Sequence, residues 1–209
     1  MPETSPTSAA GLPLQLEEAR RELREDILRG HGGRAALARF SDRLDTIVRQ
    51  IVAAAPRPPQ AFAVVAIGGY GRRQLSLHSD IDLLVLFGGR LGADEETALR
   101  AILHPLWDLG VVIGHQVREI DEFERLEVDN PEFLMALVDA RHVAGDRALF
   151  DRFESAFHHA GTYAHVVSAL NALVDERYAL FNATLYQLEP DVKESPGALR
   201  DLTAARSCS

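Results

Sequence analysis

The sequence predicts an α/β (α+β) fold, in which a small mixed sheet is flanked by helices and followed by an all-helical C-terminal segment. Two short runs, 62–67 and 81–87, are almost wholly apolar, which is typical of strands covered by helices on both faces. Before these runs, apolar residues recur at helical spacing between charged ones. After residue 129 the pattern is helical throughout. Together these observations indicate a sheet unit between two helical parts.

The chain divides by composition into four parts. Residues 1–12 are rich in Pro, Ser and Thr and are predicted to be disordered. Residues 13–55 hold two amphipathic helices, which glycines separate at 30–33. The α/β core is predicted over 56–128, because three prolines within 56–59 end the second helix. Residues 129–209 form the predicted helical segment.

The core is predicted to run strand, glycine turn, short helix, strand, helix, strand. The strands cover 62–67, 81–87 and 111–120, the short helix begins near Gly71, and the longer helix covers 94–109. Two-residue alternation gives the third strand one face with Val111, Ile113, His115, Val117 and Glu119. The buried stripe of the longer helix is expected to consist of Leu99, Ile102, Leu103, Leu106 and Trp107.

Composition limits the classes of function. Asp and Glu number 31 against 22 Lys and Arg, for a formal charge of -9, which argues against a protein that coats nucleic acid. The N-terminus does not resemble a secretory signal, and no apolar run approaches the roughly 20 residues that cross a bilayer. Cys208, the single cysteine, forms no intramolecular disulfide. We therefore expect a cytoplasmic protein that binds neither nucleic acid nor membrane.

Gly68 and Gly69 end the first strand where a helix is about to begin. Residues without side chains let a triphosphate approach the backbone, and free N–H groups at a helix start favour bound phosphate. An ordinary turn is the alternative interpretation. Neither a P-loop nor a dinucleotide fingerprint fits, because Gly-Lys-Ser/Thr is absent and Gln74 stands where the fingerprint needs its third glycine.

Asp80 and Asp82 flank one apolar residue, Ile81, at the start of the second strand. Alternation places both carboxylates on one side, roughly 7 Å apart, while Ile81 points into the core. Such a pair is suited to hard divalent cations, which prefer oxygen ligands. The alternative is that these aspartates only shape the turn. The glycine turn lies eleven residues earlier, and the combination predicts a metal-dependent site for phosphate chemistry.

At these residues the chain resembles the nucleotidyltransferase domain of the PII uridylyltransferase family, within the DNA polymerase β-like superfamily. The similarity lies in Gly-Gly-Tyr-Gly-Arg at 68–72, Ser-Asp-Ile-Asp at 79–82, Trp-Asp-Leu-Gly at 107–110 and Gly-His-Gln-Val-Arg at 114–118. It returns over 188–201 and ends in Leu-Arg-Asp. The resemblance therefore covers roughly 60–201 with discontinuous motifs.

The resemblance implies transfer of UMP from UTP to a tyrosine of a PII-type nitrogen-regulatory protein, with release of pyrophosphate. It implies Asp80 and Asp82 as catalytic ligands of Mg²⁺, and Gly68, Gly69 and Ser79 as contacts of the triphosphate. Arg72 is a candidate for neutralising phosphate charge or for a surface role. The superfamily often has a third carboxylate, for which Glu119 is the candidate.

Two departures from the family concern sequence and length. The family usually has Gly-Glu after the arginine, where this chain has Arg73 and Gln74. Its members continue into a hydrolase domain and two sensory domains, and no adjacent His-Asp pair of such a hydrolase is present. We expect a truncated helical segment without uridylyl removal. Two alternatives to this function stay open. The domain could use another nucleotide or acceptor, or it could be a non-catalytic fragment that binds nucleotide or a partner.

Overall fold

The structure, a computed structural model, describes residues 11–125, 130–180, 191–192 and 195–207. Within these ranges it is a mixed α/β fold with helices on both faces of one four-stranded sheet, as the sequence predicts. The helices are α1 (Leu12–Leu28), α2 (Arg34–Ala54), α3 (Gly68–Gly71), α4 (Ala93–Asp108), α5 (Ile120–Glu124), α6 (Pro131–Leu137), α7 (Arg147–Phe157), α8 (Ala160–Leu180) and α9 (Leu199–Ser207). The strands are β1 (Phe62–Ala66), β2 (Ile81–Phe87), β3 (Ile113–Glu119) and β4 (Arg141–Gly145).

The sheet has the strand order β3-β2-β1-β4. Strand β1 is antiparallel to both β2 and β4, whereas β2 and β3 are parallel. The parallel pair requires a crossover connection, and α4 lies between β2 and β3 in the chain. The two central strands are the apolar runs that the sequence identifies, and β2 has the predicted bounds, 81–87.

Two hydrophobic clusters cover the two faces of the sheet. On one face, Val64 and Leu83 pack with α1, α2 and α4. On the other face, Val65 and Leu84 pack with α5, α6 and α7. Because neighbouring residues of a strand point to opposite faces, each central strand contributes to both clusters. The position of a polar side chain in a central strand therefore tells on which face of the sheet it lies.

The N-terminal helices form a hairpin against the first of these faces. Leu16, Ala19 and Leu23 of α1 are buried, and so are Ile47 and Ile51 of α2. Gly30 follows the end of α1 with φ of 77°, a left-handed conformation that glycine adopts without steric cost. Leu12 begins α1, and residues 1–10 of the segment predicted to be disordered lie outside the described residues.

Three sequence predictions about the elements are wrong. The region after 129 is not wholly helical, because β4 completes the sheet beside β1. The short helix begins at Gly68 rather than near Gly71, since the glycine pair itself forms its first turn. Trp107 is 45% exposed instead of buried, and its ring contacts His104 and His115 at the surface, with centroids 5.4 and 5.8 Å away.

The C-terminal helices are described in part. Helix α8 is described to Leu180, and α9 begins at Leu199. Arg177 and Tyr178 of α8 both bind the Asp201 carboxylate of α9, Tyr178 with its hydroxyl at 2.8 Å. Half of the motif at 188–197, residues 188–190 and 193–194, falls outside the described residues. Among the helices that the structure describes, none combines the length and apolarity that crossing a membrane requires.

Candidate functional site

The Asp82 carboxylate lies between the glycine turn and the neighbouring strand β3. A methyl group added to Gly68 would lie 3.4 Å from Asp82 Oδ2, and one added to Gly114 would lie 2.4 Å from Oδ1. Gly114 is the direct partner of Asp82 in the parallel ladder. A side chain at Gly114 would therefore crowd the carboxylate, whereas a methyl group at Gly68 would only be in contact with it. The prediction that an acidic strand start faces the glycine turn is met for Asp82.

The glycine turn is one short helix, α3, in a conformation that needs its glycines. Gly68 has φ of 55°, and a Cβ on Gly71 would lie 2.1 Å from the carbonyl oxygen of Asp139. Gly71 N donates to Ile67 O at 3.0 Å, and Gln74 N donates to Gly69 O at 3.0 Å. Nothing lies within 4 Å of a Cβ built on Gly69. The first N–H groups of such a helix have no partner within the helix itself.

Asp80 and Ser79 precede β2 at the same end of the strand. Asp80 is exposed, and within the described part of the chain its carboxylate makes no side-chain hydrogen bond or ion pair. Ile81 between the two acids is buried, as predicted. Ser79 Oγ accepts from Ser76 N at 2.9 Å and bonds Ser76 Oγ at 2.9 Å. In this structure Ser79 therefore shapes the loop.

Arg72, the candidate for a phosphate contact, is part of an ion pair. Its Nη1 lies 2.8 Å from Asp139 Oδ2, and both side chains are 25% exposed. The pair joins the end of the glycine turn to the loop that precedes β4. This ion pair holds the end of the turn, and a contact of Arg72 with phosphate stays a prediction.

Glu119 does not join the two aspartates, and its assignment as a possible third metal ligand is corrected. It pairs with Phe87, five residues along β3 from Gly114, which corresponds to about 16 Å of strand. Its alternation also places it on the opposite sheet face from Asp82. Glu119 Oε1 accepts from Leu91 N at 3.1 Å, so the carboxylate binds the loop before α4.

The face of β3 that lies beside Asp82 is the one opposite to Glu119. Gly114, Gln116 and Arg118 alternate on that face. Arg118 Nη2 donates to Gln116 Oε1 at 3.3 Å, Nη1 donates to Glu122 at 3.1 Å, and the guanidinium lies 5.3 Å from the ring centroid of Phe133. These residues continue a polar row from Asp82 along the edge strand. Knowledge of the parallel register would have identified them.

The donor set fits a divalent cation in part. Asp80 and Asp82 supply carboxylate oxygens, which are the ligands that Mg²⁺ prefers, and Mg²⁺ commonly binds one or two carboxylates and completes its shell with water and phosphate oxygens. Among the residues that the structure describes, no group of three or more His, Cys, Asp or Glu side chains gathers around one point. Asp80 and Asp82 thus remain the predicted ligands of a cation at this site.

Arg73 combines a strained backbone with an exposed ion pair. Its φ is 58°, the left-handed region that favours glycine, and its guanidinium binds Asp42 of α2. This is the position where the family resembled by the sequence usually has glycine. The side chains of Arg73 and Asp42 are 44% and 48% exposed, so solvent weakens the attraction between them.

We expect Arg73→Gly to be more stable than Arg73→Ala by about 1 kcal/mol, because both variants lose the ion pair but only alanine keeps the left-handed strain. The usual order of these two residues in regular structure is the reverse. Urea denaturation of the two variants measures the difference. A higher unfolding free energy for Arg73→Ala would contradict strain at this position.

Comparison with known proteins finds relatives that share one description. A family model described as GlnD PII-uridylyltransferase matches residues 165–208, about a fifth of the chain and C-terminal to the glycine turn. The chain is 39% identical over 159 residues to the bifunctional uridylyltransferase/uridylyl-removing enzyme of Bordetella parapertussis, covering 76% of this chain and 18% of that protein. It is 36% identical over 203 residues to the protein of the same description from Bradyrhizobium sp., covering 91% of this chain and 22% of that protein.

The matched proteins are both described as bifunctional uridylyltransferase/uridylyl-removing enzymes. The chain belongs to the PII-uridylyltransferase family. It spans about a fifth of the length of the curated relatives it matches. The alignment with the Bradyrhizobium protein extends over nine-tenths of this chain, 91%, so the relationship is not confined to the C-terminal segment that the family model matches.

Proposed function

We propose that this chain carries the transferring site of a uridylyltransferase, which moves UMP from UTP to a tyrosine of a PII-type protein. The tyrosine oxygen attacks the α-phosphorus, the bond from that phosphorus to the bridging oxygen breaks, and pyrophosphate leaves while the tyrosine loses its proton. The supporting observation is the Asp82 carboxylate, which lies against Gly68 of the glycine turn and Gly114 of β3. The relatives' description as uridylyltransferases supplies the reaction class.

Asp80 and Asp82 are the residues that would hold Mg²⁺. When bound, the ion neutralises the charge of the phosphate oxygens and of the leaving pyrophosphate. The chain itself contributes a fixed carboxylate at Asp82, an exposed carboxylate at Asp80 and the N–H groups that begin α3. These groups orient the triphosphate, and no covalent intermediate with the protein is required.

Incorporation of label from α-labelled UTP into a purified PII-type protein, with Mg²⁺ present, tests the proposal. The expected result is labelled tyrosine and one pyrophosphate for each UMP transferred. ATP and CTP at equal concentration are the comparison, because labelling from either of them instead would assign a different nucleotide. Nucleotide binding without release of pyrophosphate would identify a binding fragment, and absence of binding would overturn the proposed site.

Gly69→Ala separates a phosphate site from an ordinary turn. The added methyl group meets no atom of the protein within 4 Å, so we expect the melting temperature to stay within about 2 °C of the wild type. A triphosphate that approaches the backbone would meet this methyl group. We therefore expect affinity for UTP, measured by calorimetry with Mg²⁺, to fall by about tenfold or more.

Gly33→Ala is the matched control, since a Cβ there also has nothing within 4 Å and α2 lies outside the glycine turn. It should leave UTP affinity unchanged. Because alanine replaces glycine at the N-cap of α2, the melting temperature is expected to fall by no more than about 4 °C. If Gly69→Ala binds UTP as tightly as Gly33→Ala does, the backbone at Gly69 is not a phosphate contact.

A further inference from the structure

Helix α2 carries a buried carboxylate that is held by two arginines. Asp45 is 3% exposed, in a chain where the described buried residues are otherwise almost all apolar. Arg141 of β4 donates to both carboxylate oxygens of Asp45, with Nη1 at 2.5 Å from Oδ2 and Nη2 at 3.0 Å from Oδ1. Arg49, one turn further along α2, reaches Oδ2 at 3.2 Å. The carboxylate is thereby compensated, as a buried charge must be.

The same Arg141 side chain also binds the glycine turn. Its Nη2 donates to Tyr70 O and its Nε to Gly71 O, both at 3.3 Å. Its guanidinium carbon lies 5.4 Å from the ring centroid of Tyr70, which is fully buried. In the sheet, Arg141 pairs with Ala66, the last residue of β1. One planar group therefore joins α2, β4 and the last carbonyls of α3.

A four-residue helix has too few internal hydrogen bonds to fix its own position. Tyr70 O also accepts from Arg73 N at 3.0 Å, but this bond is local to the turn. Arg141 links the last two carbonyls of α3 to α2 and β4, because the fork geometry of a guanidinium allows one side chain to bind a carboxylate and two carbonyl oxygens together. Arg49, by contrast, donates to Val143 O at 2.9 Å and Asp45, neither of which lies in the glycine turn.

We propose that Asp45 and Arg141 are positioning residues that hold the glycine turn in register with Asp82, so that helix α2 sets the affinity of the site for nucleoside triphosphate. The link to affinity rests on the proposed function; the restraint on the turn does not. Asp45 orients the guanidinium, and the guanidinium orients the turn. Neither residue contacts the nucleotide itself.

Arg141→Lys tests this role, because lysine keeps the positive charge beside Asp45 but cannot also bind both carbonyl oxygens. We expect hydrogen exchange of backbone amides in peptides spanning 68–74 to become about tenfold faster without nucleotide. We expect KM for UTP to rise on the order of 10- to 100-fold, with a smaller change in kcat. A residue that only stabilises the fold would lower the melting temperature and leave KM unchanged.

Arg49→Lys is the matched control, since it alters the other arginine on Asp45 and leaves the bonds to Tyr70 and Gly71 in place. It should change neither exchange in 68–74 nor KM. The proposal is overturned if folded Arg141→Lys has wild-type exchange in this segment, or if both variants change it equally. Should Arg141→Lys give no cooperative melt, Asp45→Asn carries the same expectation and decides in the same way.

The two proposals fail separately. If the wild-type chain transfers no UMP and binds no UTP, the proposed function fails, while exchange measured without nucleotide still decides whether Arg141 restrains the turn. If transfer proceeds normally in Arg141→Lys with unchanged KM and exchange, the positioning role fails and the proposed function stands.

Discussion

Replacing Asp82 by Asn is expected to reduce UMP transfer by at least about 100-fold. The amide has nearly the size of the carboxylate, so the fit between Gly68 and Gly114 is kept. The negative charge is lost, however, and a neutral amide is a weaker ligand for a hard divalent cation than a carboxylate is. Initial rates with α-labelled UTP over a range of Mg²⁺ concentrations measure the effect. Higher Mg²⁺ should restore activity only in part.

Asp121→Asn is a suitable control for this variant. Asp121 lies in α5, is partly exposed and pairs with Arg125 at 3.0 Å, and exposed pairs one helical turn apart contribute little to stability. The control should transfer UMP at the wild-type rate. Wild-type activity in Asp82→Asn, with unchanged Mg²⁺ dependence, would remove Asp82 from the site and with it the observation on which the proposed function rests.

The central strands could be predicted from the sequence because their signal is local. The runs 62–67 and 81–87 are apolar at nearly every position, and burial on both faces is the only common reason for such a pattern in a short segment. Ile81 between two aspartates likewise predicts its own burial, and the structure agrees. The identity of the two catalytic candidates needs no tertiary information.

Strand β4 could not be predicted in this way because its reasons are distant in sequence. It has five residues, of which Arg141 and His142 are polar. Arg141 is compatible with the sheet because it binds Asp45, 96 residues away in the chain. Burial of His142 lowers the pKa of its imidazole, which favours the neutral form in this strand. Residues 141–145 therefore form a strand because they pair with β1, and their local sequence pattern does not predict it.

The choice between Glu119 and Gly114 shows the same limit within the site. Alternation correctly separates the two faces of β3, but it does not say which face accompanies Asp82. That depends on the register with β2, in which Gly114 lies opposite Asp82 and Glu119 opposite Phe87. The face with Glu119 carries a carboxylate, whereas the face beside Asp82 carries none. The signal on the other face is Gly114, whose lack of a side chain leaves room for the Asp82 carboxylate. This can be recognised only when the partner of Gly114 in β2 is known.

Gly114→Ala is expected to impair transfer almost as strongly as Asp82→Asn, about 100-fold, although every charge of the site is kept. The new methyl group would lie 2.4 Å from Asp82 Oδ1, so the carboxylate must turn away. The obstacle is the end of a side chain rather than backbone, and alanine is favoured over glycine in a strand. The free energy of unfolding should therefore change by no more than about 1 kcal/mol.

A double-mutant cycle distinguishes displacement of Asp82 from any other effect of the methyl group. If Gly114→Ala acts by moving the carboxylate, adding it to Asp82→Asn costs little further activity, since the group it displaces has already lost its function. Transfer rates of the wild type, both single variants and the double variant, with denaturation curves for each, give the coupling. The interpretation is contradicted if the activity losses of the two single variants multiply in the double variant, or if Gly114→Ala has wild-type activity. Either result would show that transfer does not depend on the position of the Asp82 carboxylate beside β3.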